Sequence, residues 1–213
     1  DDPLESINRS THAFNKSVDK NMLKPSADIY GNYVPKNLRV LLSNFSSNLA
    51  EPLRFANHTL QGDLIDASTS ALRFGLNSTV GVVGLFDIAS YLDLFEVETS
   101  LDETFRHWQI PTGPYFLLPF FGPSSVRGTI AKLIELTNDP ITSSVNTGYE
   151  LTYFSTIGID ILNSRYELKD TIDGILYDSF DSYSAGKNYY LQRFGLNSSD
   201  VLDDDLFEMY MQD

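Results

Sequence analysis

From Leu4 the positions Ile7, Thr11, Phe14, Val18 and Met22 recur at steps of three or four, one stripe of an amphipathic helix. Asp2-Pro3-Leu4-Glu5 opens it with an N-cap acceptor, a proline at the first helical position and a carboxylate three residues on. Lys24-Pro25 is expected to end it, because a residue before proline is pushed out of the α region. A second pattern runs from Pro35, with Leu38, Leu41, Leu42, Phe45 and Leu49 on one face, and meets a break or kink at Glu51-Pro52. A third piece, from Pro52, ends at Gly62 as a glycine C-cap. Asp63 can cap the next helix, which carries Leu64, Ala67, Ala71 and Leu72 to about Asn77. Ser100-Leu101-Asp102-Glu103 is a capping box opening a short helix through Phe105 and Trp108. Helical spacing resumes at Val126, Ile130 and Leu133 and stops at Asn138-Asp139-Pro140. From about 141 to 194 the pattern is mostly helical, with Ile161, Leu162, Ile172, Ile175, Leu176, Phe180 and Tyr183 apolar, and a long helix is expected there. There is no sustained two-residue alternation, no Asn-Gly hairpin and no repeat, so the fold class is mainly α.

Two segments do not suit an ordinary core. From Trp108 to Val126 there are 19 residues without a charge, long enough for a membrane span. Pro114 and Pro119 would both break such a helix, and Pro111, Gly113, Gly122 and Pro123 break it on either side. An irregular backbone cannot face lipid tails with unpaired amides, so this run must be buried in protein, line a cavity or lie at an interface. The run from Phe74 to Phe86 is similar, with Gly75, Gly81 and Gly84 among apolar residues and no charge before Asp87. Two readings follow: buried loops that pack helices together, or a surface or channel in contact with lipid.

Composition narrows the classes. The chain of 213 residues is expected to be one domain, and with 42% hydrophobic and 13% aromatic residues it is expected to fold around apolar material. With 29 acidic and 15 basic residues its net charge is −14, which excludes a nucleic-acid partner. Cysteine is absent, which removes disulfides, thiolate zinc sites and cysteine nucleophiles. The sequence begins Asp1-Asp2-Pro3, without methionine, so an N-terminal segment is expected to have been lost. Asn-x-Ser/Thr triplets at Asn8, Asn15, Asn44, Asn57, Asn77 and Asn197 fall partly inside patterned segments, where a glycan could not pack, so a eukaryotic secretory origin is not expected. The tail from Asp200 holds six acids and no base, yet its apolar residues keep helical spacing: a frayed terminus, or an acidic amphipathic helix that docks on a partner.

Catalytic chemistry finds little support. His12, His58 and His107 are scattered and lack metal spacing, and His12, off the apolar stripe, reads as a solvated surface residue. Gly122-Pro123-Ser124-Ser125-Val126 approaches a nucleophile elbow but has valine where the second glycine belongs. Asp203-Asp204-Asp205 lacks the spacing of a calcium loop. No metal and no cofactor are expected, and an enzyme is not. A membrane-associated lipid hydrolase and a structural adaptor at the membrane face stand as the alternatives.

Certain strings, in order, carry a resemblance. They are Asp2-Pro3-Leu4-Glu5 with Asn8-Arg9; Asn44-Phe45 with Asn48-Leu49 and Glu51-Pro52; Asn57; Leu60-Gln61-Gly62; and Arg73-Phe74. Asn77-Ser78-Thr79, Gly81, Gly84-Leu85-Phe86-Asp87, Ala89-Ser90, Gly113-Pro114-Tyr115, Leu118-Pro119 and Gly122-Pro123-Ser124 continue the series. Together they resemble the MlaA/VacJ family of Gram-negative outer-membrane lipoproteins over roughly residues 1 to 195, leaving 196–213 as an acidic tail. The chain departs from the family at 101–108, which lacks two glycines, and at Gly128, where an aspartate is usual. The resemblance implies a ring of amphipathic helices in the inner, periplasm-facing leaflet around an amphipathic channel, with a hairpin-like segment near 110–125 and a lipidated cysteine upstream. It implies removal of mislocalised glycerophospholipid from the outer leaflet, delivery to the periplasmic carrier MlaC, and a trimeric porin as partner. By the match, Tyr115, Leu117, Leu118 and Phe120 are candidates for contacting or gating lipid. Asn44, Phe45, Glu51, Pro52, Asn77, Thr79, Gly81, Gly84, Gly113 and Pro114 are candidates for shaping the ring.

Overall fold

The computed structural model describes residues 2–138 and 149–193. Helix α1 (Glu5–Val18) continues through a π turn (Asp19–Leu23) into α2 (Lys24–Tyr33), so Pro25 does not end the helical run. The Lys24 N–H reaches back five residues to the Asp19 carbonyl, and this wider turn takes up the proline that an ordinary turn would reject. Helix α3 (Lys36–Gln61) is likewise one element with Pro52 inside it, and it stops where Gly62 turns left-handed at φ 79°. Asp63 caps α4 (Leu64–Thr79) by accepting from the Asp66 N–H, and Ser100 caps α5 (Leu101–His107) by accepting from the Glu103 N–H.

The uncharged run folds as an antiparallel hairpin, β1 (Tyr115–Leu118) with β2 (Gly122–Ser125), in register from Tyr115↔Ser125 to Leu118↔Gly122. Helix α6 (Val126–Asn138) follows. The predicted stop at Asn138-Asp139-Pro140 and the acidic tail reach outside the described residues. The expected long helix is α7 (Tyr149–Glu167), and the chain then breaks into α8 (Lys169–Asp173), a second π turn (Gly174–Asp178) and α9 (Ser182–Arg193).

These elements close a circuit. Helix α1 packs on β1, β1 on α6, α6 on α5, α5 on α3, α3 on α7, α7 on α2, and α2 through its π turn back on α1. Helix α4 lies against α3, and α9 against β2 and the second π turn.

The interior is the reverse of an ordinary core. The apolar residues that cluster when buried are Tyr115, Leu117, Tyr183, Tyr190 and Leu191, at the hairpin and α9. Elsewhere Asn8, Asn48, Glu51, Asn57, His58, Arg73 and Asn77 are buried, while Ile65, Val83 and Tyr91 are 79%, 64% and 84% exposed. Helix α1 and its π turn show why the expectation of apolar packing fails for their stripe: Ile7 and Phe14 face out, whereas Asn8 and Asp19 face in, where they find backbone and charged partners. No helix among the described residues is long and apolar enough to cross a membrane.

Candidate functional site

A cavity of about 790 Å³ opens between α1, the hairpin, α7 and α9. Its walls are mostly apolar, with Met22, Leu23, Ile161, Leu162, Ile175 and Leu176 opposite the hairpin. Tyr115, Leu117 and Phe120 line it; Leu118 does not, and its side chain is half-buried beside it. Burial raises the Tyr115 and Tyr183 phenols above their ordinary value and pushes Tyr190 up to about 12, so all three remain protonated.

Two asparagines of α1 hold the hairpin. The Asn8 amide donates to the Tyr115 carbonyl at 3.0 Å and accepts from the Leu117 N–H at 2.9 Å. The Asn15 amide donates to the Leu118 carbonyl and accepts from the Phe120 N–H, both at 2.9 Å. Each side chain thus supplies the donor and acceptor that a neighbouring strand would. The spacing fits: seven helical residues rise about 10.5 Å, close to the roughly 10 Å of three strand residues between the two contact points. Phe120, at the turn with φ 67°, packs edge-on against Phe14 at 5.2 Å.

The polar wall is built on the first π turn. Arg165 donates to both oxygens of Asp19 at 2.7 and 3.0 Å and to Asp173 at 2.6 Å; Tyr177 donates to Asp19, and Lys24 pairs with Asp173 at 2.6 Å. His12, expected to be solvated, instead lines the cavity. Its Nε2 lies 2.8 Å from the Ser182 hydroxyl and its ring meets Tyr183 edge-on, because α9 returns to cover this face of α1. Burial, then the charge of Lys16, holds its pKa below the ordinary value.

The residues matched as architectural gather around a second polar centre between α3 and α4. Glu51, fully buried, accepts from Arg73 Nε at 2.6 Å, and Arg73 also donates to the Leu94 carbonyl at 2.6 Å and to Asp87 at 3.4 Å. Asn77 donates to Asp87 and accepts from the Ala89 N–H, and Asn44 donates to the Leu85 carbonyl. These bonds fix the loop after α4, where Gly81 and Gly84 bracket two left-handed valines, Val82 and Val83. A Cβ on Gly81 would lie 2.2 Å from the Phe86 carbonyl oxygen, and one on Gly84 2.6 Å from the Asn48 amide. Thr79 is exposed and bonds within its own helix to the Gly75 carbonyl. Pro52 sits inside α3, and no ring contact or ion pair among the described residues involves the half-buried Phe45. Gly113, left-handed at φ 70°, and Pro114, whose carbonyl accepts from the Val126 N–H, set the entry to β1.

Sequence reasoning missed His12, Asn15, Asp19 and Arg165 as cavity residues. The available signal was the spacing of Asn8, His12, Asn15 and Asp19, which forms a second, polar stripe on α1.

Fold and site together define a helical ring that turns apolar side chains outward, keeps a polar interior and encloses an amphipathic cavity. Residues 1–195 match the family model described as MlaA lipoprotein, and the chain belongs to that family. It is 33% identical over 196 residues to the Intermembrane phospholipid transport system lipoprotein MlaA of Shigella flexneri, across 90% of this chain and 76% of the relative, and equally to that of Escherichia coli K12. An uncharacterized protein of Rickettsia felis is 29% identical over 185 residues, 86% of this chain and 72% of the relative. A solved structure from work on the structural basis for maintenance of bacterial outer membrane lipid asymmetry superposes with a TM-score of 0.77 at 31% identity, covering 91% of this chain and 96% of that one.

Proposed function

We propose that this chain works in intermembrane phospholipid transport at the outer membrane. It takes mislocalised glycerophospholipid from the outer leaflet through its cavity, so preserving lipid asymmetry. The observation that carries the reading is the inverted ring: an apolar perimeter suits lipid tails, and the cavity sets apolar walls beside the Asp19–Arg165–Tyr177 cluster. A ring whose described helices are too short or too polar to cross a membrane suits one leaflet, and the periplasm-facing leaflet, with a lipid anchor upstream, is the placement we infer. MlaC as the receiving carrier and a trimeric porin as the holding partner complete the route on the family resemblance, and negative charge facing the periplasm would attract a basic carrier.

Transport here needs no bond to be broken, no metal and no cofactor. The hydrolase alternative has one geometric support, the 2.8 Å approach of His12 to Ser182. The nearby N–H groups of α9 that could stabilise an oxyanion are already used, since Asp181 accepts from the Tyr183 and Ser184 N–H groups, and Asp181 itself is held by Arg9. The test is lipid content and fate. Protein purified in mild detergent should carry phospholipid, and Leu117→Asp or Phe120→Asp, stably folded, should let phospholipid accumulate in the outer leaflet, read by an impermeant amine label. Unchanged labelling would reject the route. Fatty acid released by wild type and abolished by Ser182→Ala would establish hydrolysis instead.

A further inference from the structure

We propose that the cavity contains an anchoring site for the monoanionic phosphodiester of its lipid, with the Lys16 ammonium as the anchor and Ser182 as its positioning hydroxyl. This rests on reading the cavity as a lipid path. Three residues lining the cavity carry full charges: Lys16, Asp19 and Arg165. Asp19 and Arg165 neutralise one another, and the adjoining Asp173 is matched by Lys24. Lys16 is different. Among the described residues no carboxylate pairs with it; its polar contact is the Ser182 hydroxyl at 3.3 Å, and its charge sits 5.5 Å from the Tyr177 ring centroid.

An ammonium has three hydrogens to donate, and a protein acceptor takes one here. The neighbouring groups fix which. His12, one turn before Lys16 on α1, is held neutral by burial, so its Nε2 can accept the Ser182 hydroxyl while the Ser182 oxygen accepts from Lys16. The other two hydrogens remain free for a ligand. A half-buried ammonium at the wall of a mostly apolar cavity can complete its hydrogen bonds with an anion brought by the ligand. Arg165 is a poorer anchor, because its Nε and Nη2 donate to the carboxylates of Asp19 and Asp173, which already match its charge. One unmatched positive charge beside a neutral imidazole fits a phosphodiester, with one negative charge, better than a phosphomonoester with two.

The test titrates wild type, Lys16→Met, Lys16→Gln and Lys16→Arg, in mild detergent, with two fluorescent-tailed probes of identical acyl chains: phosphatidylglycerol and diacylglycerol. Melting curves check each variant's fold. Both neutral variants should bind phosphatidylglycerol roughly ten- to a hundredfold more weakly, the range set by a charge-assisted hydrogen bond, with diacylglycerol affinity unchanged and Lys16→Arg close to wild type. Unaltered phosphatidylglycerol affinity in folded neutral variants overturns the anchor while leaving the lipid cavity standing, as does equal weakening of both probes. Failure of wild type to bind either probe overturns both readings. Glycerophosphoglycerol, the soluble headgroup, should not displace the probe; displacement at micromolar concentration would make this a site for free phosphodiester and overturn the lipid assignment.

Discussion

Replacing Asn8 with alanine tests whether α1 acts as the missing strand beside the hairpin. The side chain is fully buried, and its loss strips partners from the Tyr115 carbonyl and the Leu117 N–H, in residues 2% and 3% exposed. Each buried group left unsatisfied costs about 1–3 kcal/mol, so the pair amounts to about 2–6 kcal/mol. Asn15→Ala removes the same two bonds at Leu118 and Phe120, but the turn is exposed and water can replace them, so about 1–3 kcal/mol is expected. The assay is thermal or urea unfolding in detergent with hydrogen exchange on the peptide spanning 115–121. Asn8→Ala should lose stability and protection at Leu117; Asn15→Ala should lose protection mainly at Phe120, with the global transition less changed. If Asn8→Ala stays within about 0.5 kcal/mol of wild type and Leu117 exchanges no faster, the clamp is not what holds β1.

Other outcomes follow from the same geometry. Arg73→Met leaves buried Glu51 with Arg54, 3.6 Å away, as its remaining counter-charge among the described residues and should cost up to about 3–5 kcal/mol in denaturant titration; Glu51→Gln should cost less, since its amide oxygen still accepts from Arg73. Gly84→Ala, at φ 88° and against Asn48, should lower stability by about 1–3 kcal/mol, more than Gly62→Ala, whose Cβ enters open space. Val83→Gly should instead raise stability by up to about 1 kcal/mol, because a β-branched residue at φ 60° is released from strain that exceeds glycine's entropy cost. The His12 ring should titrate by NMR below its ordinary pKa, and Lys16→Gln should move it upward. Since the unfolded chain takes up that proton first, His12 should make stability fall as pH drops through its ordinary value, a dependence lost in His12→Gln.

The sequence made the helix ends legible because capping is local chemistry: Gly62, Asp63 and Ser100 act where their neighbours alone dictate. Pro25 misled because its effect depends on whether the surrounding turn can widen, and of the break or kink expected at Pro52 the break does not occur, since the helix runs on through it. The hairpin was not readable from period. Tyr115-Phe116-Leu117-Leu118 shows no polar alternation, since its intermediate positions are half-buried, and the partner on its free edge comes from asparagines more than a hundred residues away.

The deeper limit lies in what amphipathicity encodes. Helical spacing of apolar residues says that two faces of a helix differ, not which of them points to the interior, because that depends on the solvent. For α1 the stripe of Ile7 and Phe14 is equally compatible with an apolar core in water and an apolar rim in lipid. What breaks the symmetry is the chemistry of the opposite stripe. A water-facing stripe has no need of groups that bond backbone, yet Asn8 and Asn15 each satisfy one carbonyl and one N–H of the hairpin, and Asp19 binds Arg165 and Tyr177. Asn44, Asn48, Asn57 and Asn77 repeat the choice in α3 and α4, bonding the loop after α4 or polar side chains. Asparagine recurring on one helix face in several helices is therefore the sign that this face points inward, and that the apolar face was selected for contact with something other than the protein.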